Sequence, residues 1–520
     1  MRPYGTGEYS LKRPRREAFP WAVAGLIVIG LALRLYRLGS QSLWIDEVLT
    51  FGDAGLIYQE HTFLGSLLRN LHGPLYSLVF YGTWQLSGLN EFWLRFPSAV
   101  AGTVTLGAMY ALASAVYDRH TAWWAVLLLA LSPFHIWYSQ EARNYSFVVL
   151  FVTLSMLFLH RFVTGGTARS WVNYVWTTAA ALLSNLSCFL LLAAQGAIAL
   201  VGGGSRRRLW SLLPAGLVLI LILLPWLLEF NNRMDPGRAL HGAPVAEEEL
   251  LRGDTTFTPW GIPFTFFVFG LGYSAGPSLR ELHMQSALSA VAGEWAVVGL
   301  GALVFGLVAA LGAWKTREDR RTLVGLLLYI LVPMLVLSFL AVRNIKVFNA
   351  RYVMVALPAY YLLLARGLSQ VGRAWLRWMN LSLVLLLVLY SLSNYYFDPR
   401  YAKEDIRSAV DYVQEHAADD DIILMTNCRS VFDLYYAGRP QVLDILDLLD
   451  QDPLITEENL KQLATIHPRL WLVQVREWDV DPHGALEKLL MSRFGLVDKQ
   501  IFPGVRLSAF DLSPLQQESR

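Results

Sequence analysis

The stretch LSLVLLLVLYSLSNYYFDPRYAKEDIRSAVDYV, Leu381 to Val413, decides the architecture. Up to Phe397 it is an apolar run that, with the residues just before it, is long enough to cross the roughly 30 Å of hydrocarbon that about 20 helical residues span. Beyond Phe397 the pattern becomes polar, with apolar residues at helical spacing, as in an amphipathic helix next to water. Working outward, the 123 residues from Asp398 to Arg520 hold 22 acidic and 13 basic residues, a net of −9. The 397 residues before them hold 30 basic and 19 acidic ones, a net of +11, so the total of +2 conceals two opposite parts. Apolar residues make up 55% of the 520 and charged ones 16%, against roughly 25% charged in an ordinary soluble protein. Collagen-like, disordered and disulfide-scaffold classes are excluded. Cys188 and Cys428 give neither a disulfide framework nor metal-ligand spacing.

The body reads as a polytopic α-helical membrane protein. Apolar segments begin near Ala18, Pro97, Thr121, Tyr145, Trp171, Ser187, Leu209, Leu288, Thr322, Tyr352 and Leu376, which predicts about eleven spans. The first has no small-residue cleavage site and is followed by many more, so it is expected to stay as a span. Leu75 to Leu86 and Ile262 to Tyr273 are shorter and read as juxtamembrane or re-entrant helices. With residues 1–17 inside, the basic clusters around Arg13, Arg207, Arg320 and Arg373 all fall on the cytoplasmic side. The expected organisation is a basic cytoplasmic N-terminus (1–17), a transmembrane domain (18–397) and an extracytoplasmic α/β domain (398–520). The transmembrane domain has a first outer loop at 37–96 and a long outer loop at 229–287. In the tail, Glu404 to Ala417 and Leu486 to Gly495 read as helices, while DIILMT and RLWLVQV read as buried strands. No Gly-rich nucleotide fingerprint follows either strand, so the tail is expected to pack or to dock an acceptor.

Four clusters on the expected outer side could carry chemistry. Asp46 and Glu47 in SLWIDEVLT are adjacent carboxylates among apolar neighbours, which is costly unless they are used. Adjacent side chains diverge, so one should face a cavity as general base and the other should bond to structure or to a metal. An acidic helix N-terminus would also account for the pair. His72 opens the first of these juxtamembrane segments and could meet an anion or a metal. Glu91 and Arg95, four apart, are predicted to pair along their own helix. FHIWYSQEARNYS concentrates His135, Tyr138, Gln140, Glu141, Arg143, Asn144 and Tyr145 at a membrane boundary, where Glu141 and Arg143 exceed what an aromatic belt explains. Arg343, Lys346 and Arg351 are cations on the disfavoured face and suit an anionic ligand such as a phosphate, or else pairing with the acidic tail.

Taken together, LWIDE (Leu43 to Glu47), HGPLY (His72 to Tyr76), EFWLRFPSA (Glu91 to Ala99), SPFHIWYSQEARNY (Ser132 to Tyr145) and ARYVMVALPAYYLLLARGL (Ala350 to Leu368) resemble a known group. It is that of bacterial protein O-mannosyltransferases and aminoarabinose transferases, family 39-like members of the GT-C membrane glycosyltransferases. The resemblance covers most of the chain. Many relatives carry two prolines where this chain has Gly73 and Pro74, a departure expected to be minor.

The resemblance implies that residues 18–397 form a GT-C catalytic domain and that the protein is a hexosyl- or pentosyltransferase of the cytoplasmic membrane. It implies a donor sugar on polyprenyl phosphate and a protein, lipid or glycan acceptor, with membrane lipids as further partners and no nucleic acid. Asp46 would be the base, Glu47 would orient it or touch substrate, and Arg351 would sit near the donor phosphate. His72, Glu141, Arg143, Tyr145, Arg343 and Lys346 are the accompanying candidates for substrate binding. Some aminoarabinose-transferase relatives place a divalent metal by the first loop, but no HxxH, HExxH or Asp-rich run occurs here, so a metal stays open. The competing class is a transporter or lipid flippase of envelope glycolipids, which should show repeated halves and broken half-helices at the midplane. A noncatalytic scaffold would leave Asp46 and Arg351 without a role.

Overall fold

The computed structural model describes residues 18–59, 73–201, 210, 212–233, 257–343, 345–445 and 457–513. The main helices of the body are α1 (Ala18–Leu35), α2 (Ile45–Gln59), α3 (Pro74–Ser87), α4 (Glu91–Val116), α5 (Arg119–Ala130), α6 (Pro133–Ser139), α7 (Tyr145–Gly165), α8 (Ala168–Ser184), α9 (Phe189–Val201), α10 (Leu212–Arg233), α11 (Gly261–Leu271), α12 (Trp295–Thr316), α13 (Arg320–Val342), α14 (Leu357–Ser369) and α15 (Ala374–Phe397), with two short helices, Leu279–Met284 and Ala287–Gly293, ahead of α12. A 3₁₀ segment, Ala350–Ala356, leads into α14. Each of the eleven expected apolar segments is helical, but among the described residues six helices pass as membrane spans by length and composition. The number is seven when α5 and α6, bent by 60°, count as one. α8 falls outside the six because it has only 17 residues, and Asn173, Thr177 and Thr178 further dilute its apolar character. α3 and α11, with 14 and 11 residues, are too short to span.

The bend between α5 and α6 has a local cause. Pro133 lacks the N–H that would bond the Leu129 carbonyl, and Ser132 restarts the helix as a cap that accepts from the His135 N–H. The freed carbonyls are met from α1, where Arg34 donates to Leu129 O (3.2 Å), Ala130 O (3.3 Å) and Gly30 O (2.8 Å) and also meets His135 Nδ1 at 2.7 Å. This fully buried arginine therefore splints the bend.

Glycine sets one helix crossing. A Cβ on Gly312 of α12 would lie 1.9 Å from the Leu363 carbonyl oxygen of α14, and one on Gly367 would lie 2.1 Å from that of Val308. With little hydrophobic drive between helices inside lipid, such close backbone approach is what small residues contribute.

The tail is a five-stranded α/β domain. In chain order it runs α16 (Ile406–His416), β1 (Ile422–Met425), α17 (Arg429–Tyr435), β2 (Gln441–Asp444), α18 (Glu457–Ile466), β3 (Arg469–Val475), α19 (Ala485–Arg493), β4 (Gly495–Phe502) and β5 (Val505–Asp511). The sheet order is β2-β1-β3-β5-β4, with β1 parallel to β2 and β3, and β5 antiparallel to β3 and β4. Ile423, Met425, Trp471 and Val473 face α16 and α17, while Ile422, Leu424, Leu470 and Leu472 face α18 and α19. Burial on both faces explains why β1 and β3 read as unbroken apolar runs. The first of these faces extends onto Ile45 and Val48 of α2, so the tail rests directly on the segment that carries the acidic pair.

Candidate functional site

Asp46 and Glu47 occupy the first turn of α2, and their side chains go opposite ways. Glu47 is fully buried and bonded to structure. Arg95 of α4 holds it through Nε (2.8 Å) and Nη2 (2.7 Å), and the N–H groups of Ala142 (2.7 Å) and Trp44 (3.3 Å) donate to it as well. Burial alone would push the Glu47 carboxyl up, but Arg95, Lys403 and the Ala142 N–H hold it down at about 2. The remaining Arg95 donors bond the carbonyls of Leu38 (3.0 Å), Gln41 (2.9 Å) and Ser42 (2.9 Å), which fixes the turn before α2.

The expected Glu91–Arg95 pair is therefore not formed. Arg95 turns inward to a desolvated carboxylate, while Glu91 faces the tail and bonds Arg407 (2.6 Å) and the Tyr435 hydroxyl (3.0 Å). The Gly73 position also differs from expectation, since its φ of 133° is out of reach for proline, and a Cβ there would lie 2.0 Å from the Ser184 carbonyl oxygen. The departure from Pro-Pro is thus structural.

Asp46 is 15% exposed and pairs with Arg351, itself 18% exposed, at 2.5 Å. Arg143 donates to the Asp46 backbone carbonyl at 2.8 Å and to Thr50 Oγ1 at 3.2 Å. Tyr145 lies between the two arginines, with its ring centre 5.8 Å from the Arg143 guanidinium and 6.0 Å from that of Arg351. Arg351 Nη2 donates to the Tyr352 hydroxyl at 3.2 Å, and Lys346 Nζ sits 4.5 Å from the Tyr352 ring centre. Five sequence candidates, Asp46, Arg143, Tyr145, Lys346 and Arg351, thus converge. Arg343 is exposed and stands apart over the Phe339 ring at 5.8 Å, and neither it nor Lys346 meets a tail carboxylate among the described residues. His72 lies outside the described residues. Beside Ala350 opens a cleft of about 290 Å³ with Phe264, Tyr273 and Phe348 in its walls.

Glu141 is the third buried acid. Its Oε1 accepts from Trp137 Nε1 at 2.7 Å and lies 3.3 Å from Lys403 Nζ, while Oε2 meets no partner among the described residues. Burial pushes this carboxyl up; Lys403 opposes the shift, and the Glu47 and Asp46 charges add to it. Lys403, 5% exposed, comes from the tail and also lies over the Trp44 and Trp137 rings at 5.2 and 5.9 Å. Sequence reasoning passed over Lys403 because a single lysine in an acidic tail has no spacing to mark it. Arg34 did carry a signal, being a charge inside the first apolar run. Among the described residues no three His, Cys, Asp or Glu side chains are placed to hold a metal ion, and Asp46 and Glu47 are engaged by arginines. The described side chains therefore do not fit a divalent ion, and no chemical step is routed through one.

Comparison with known proteins bears on this arrangement. Residues 71–228 match the family model described as dolichyl-phosphate-mannose-protein mannosyltransferase, a stretch that contains HGPLY, EFWLRFPSA and SPFHIWYSQEARNY. No curated protein matches the chain. Among solved structures, ArnT from Cupriavidus metallidurans in the apo state aligns at a TM-score of 0.57 and 12% identity, covering 95% of this chain and 98% of that one. Its form bound to undecaprenyl phosphate aligns at 0.57 and 13% identity over the same shares. The oligosaccharyltransferase AglB from Archaeoglobus fulgidus, in complex with an inhibitory peptide and a dolichol-phosphate, aligns at 0.51 and 12% identity over 94% of this chain and 74% of that one. The chain therefore shares its fold with ArnT and AglB, and the expected helical membrane body with a small C-terminal α/β domain is what the structure has.

Proposed function

We propose that the protein is a membrane glycosyltransferase that moves a hexose or pentose from a polyprenyl-phosphate donor to an acceptor hydroxyl, with the chemistry centred between Asp46 and Arg351. The observation that carries this reading is their pairing at 2.5 Å: a carboxylate and a guanidinium, both partly open, at the meeting of the first loop and the start of α14. Support comes from the ligands of the fold neighbours, undecaprenyl phosphate in ArnT and dolichol-phosphate in AglB. The aromatic cleft beside Ala350 offers apolar walls to a prenyl chain.

In the pair as it stands, each charge neutralises the other. A donor phosphate is a competing anion for Arg351, and when the guanidinium turns to it, Asp46 loses its cation and becomes available as a base. The acceptor oxygen then attacks the anomeric carbon in line. The new C–O bond forms as the bond to the lipid phosphate breaks, the hydroxyl proton passes to Asp46, and the electron pair leaves on the phosphate. One displacement inverts the anomeric centre. Arg351, with Lys346 and Arg143 nearby, offsets the leaving charge in a water-poor site. Glu47 acts through structure by fixing α2, so that Asp46 keeps its aim.

The reading places the reaction at the outer face of the cytoplasmic membrane, with the tail on the same side and a protein, lipid or glycan as acceptor. Asp46→Asn should leave folding and insertion intact and lower transfer from a polyprenyl-phospho-sugar by roughly 10²- to 10⁴-fold. Full activity of the purified variant would sink the assignment of Asp46 as base.

A further inference from the structure

A second basic concavity lies away from Asp46 and Arg351, where α1 ends, α4 begins, α15 ends and the tail starts. Its walls include Arg37, Gln41, Arg95, Gln140, Tyr396 and Lys403, and it is an open cleft of about 320 Å³ when the solvent at its mouth is counted. Three of these are cations, and no carboxylate is among the residues that line it. α4 and α15 both qualify as membrane spans, so the cleft opens where a span ends against a folded aqueous domain. That is the level of lipid headgroups, whose surface potential draws basic side chains.

The donors in this cleft are not equally committed. Arg95 spends its five N–H groups on Glu47 and on the Leu38, Gln41 and Ser42 carbonyls, so it contributes charge that Glu47 already balances. Gln140 is also engaged, since its amide nitrogen donates to the Leu33, Arg34 and Tyr36 carbonyls and its oxygen accepts from Tyr395. Arg37 differs: it is exposed, it donates one Nη1 bond to the Tyr396 carbonyl, and it meets no carboxylate among the described residues. Its backbone sits at φ 57°, in the left-handed region, as the chain turns out of α1. Lys403 makes one ion pair, at 3.3 Å with Glu141, and otherwise lies over the Trp44 and Trp137 rings, which leaves two ammonium protons for a further acceptor. An interdomain tie between Lys403 and Glu141 accounts for one cation but leaves Arg37 in the same cleft without an anion.

We propose that this cleft binds a phosphate group, held by Arg37 and Lys403, and so joins the tail to the helical body through a shared anion. The phosphate comes either from an anionic phospholipid headgroup or from free phosphate, since both present the same oxygens. The site is independent of the glycosyl-transfer reading, because neither Asp46 nor Arg351 lines it.

The test uses the full chain in detergent, probed separately with dioleoyl phosphatidylglycerol by native mass spectrometry and with inorganic phosphate by thermal shift. The wild type should retain the lipid and be stabilised by it, and Arg37→Gln should weaken retention about tenfold, the loss of one charge-assisted contact. Lys403→Gln should weaken it similarly; because that residue is buried, the exposed Arg37 decides if the Lys403 variant fails to fold. Arg343→Gln, which removes an exposed cation elsewhere, should bind as wild type does. A response to the lipid alone assigns a headgroup, and a response to inorganic phosphate as well assigns the phosphate group itself. Equal binding by Arg37→Gln and wild type, equal loss in Arg343→Gln, or no binding of either probe overturns the proposal.

Discussion

Glu47 and Arg95, 48 residues apart, form a two-pronged ion pair that is sealed from water. Taking two charges out of water is expensive, and the pair is tolerable because neither partner is left with unmet hydrogen bonds. Removing one partner strands the other. Arg95→Met should therefore cost about 3–5 kcal/mol of stability, read as a lower midpoint in detergent-solubilised unfolding. A variant that melts with the wild type would show that the pair contributes little.

The same pair sets an acid limit. The Glu47 carboxyl lies at about 2 when folded, below its ordinary value of 4.5, so it binds protons more readily unfolded than folded. Its contribution is complete above about 4.5 and is lost as pH falls toward 2, worth about 3 kcal/mol over the whole interval. A stability profile from pH 6 to pH 3 should bend downward in the wild type and be flatter in Arg95→Met. Parallel profiles would assign the acid sensitivity to other carboxylates.

Arg351→Ala should raise the donor KM much more than the acceptor KM, because the lost group is the one proposed to hold phosphate. Arg351→Lys should recover part of the donor affinity while lacking the planar guanidinium fork that can meet two phosphate oxygens at once. Kinetics that vary each substrate in turn make the distinction, and equal effects on both would argue against a phosphate contact.

Gly73→Ala should be strongly destabilising. The added methyl meets the Ser184 carbonyl at a backbone angle that side chains rarely adopt. Lower yield of folded protein, with loss of the α3 start, is the expected result. A well-folded Gly73→Pro variant would contradict the observed conformation outright.

Gly312→Val should open the crossing of α12 and α14, where backbone atoms leave no room for a side chain. Gly306→Val, one helix face away with open space around it, is the control. Detergent melting should fall in the first and hold in the second.

Much of this architecture was legible because membranes and buried sheets impose composition. The apolar run that stops at Phe397 marked the end of α15, and DIILMT and RLWLVQV marked the two central parallel strands. The divergence of Asp46 from Glu47 followed from adjacency on a helix. Partner choice was less legible. Arg95 lies four residues from Glu91 yet bonds Glu47, because the fully buried Glu47 has no other cation this close, whereas Glu91 is met by Arg407 and Tyr435 of the tail. β2 and β4 are exposed edge strands, and β5, although buried, interleaves Arg506 and Ser508 with its apolar residues, so their patterns gave little signal. Lys403 reaches Glu141 across 262 residues through a docking of domains that local pattern does not encode.

The splint that Arg34 places across the break between α5 and α6 governs what can move. Three contacts from Arg34 hold the segment leading to Glu141, Ala142 and Arg143, and that segment in turn grips the carboxylate of Glu47 and the backbone of Asp46. The acidic side of the centre is thus an anvil. Separation of the pair during turnover is therefore expected on the Arg351 side: a crosslink that fixes the 3₁₀ segment Ala350–Ala356 should slow turnover more than one that fixes the first turn of α2.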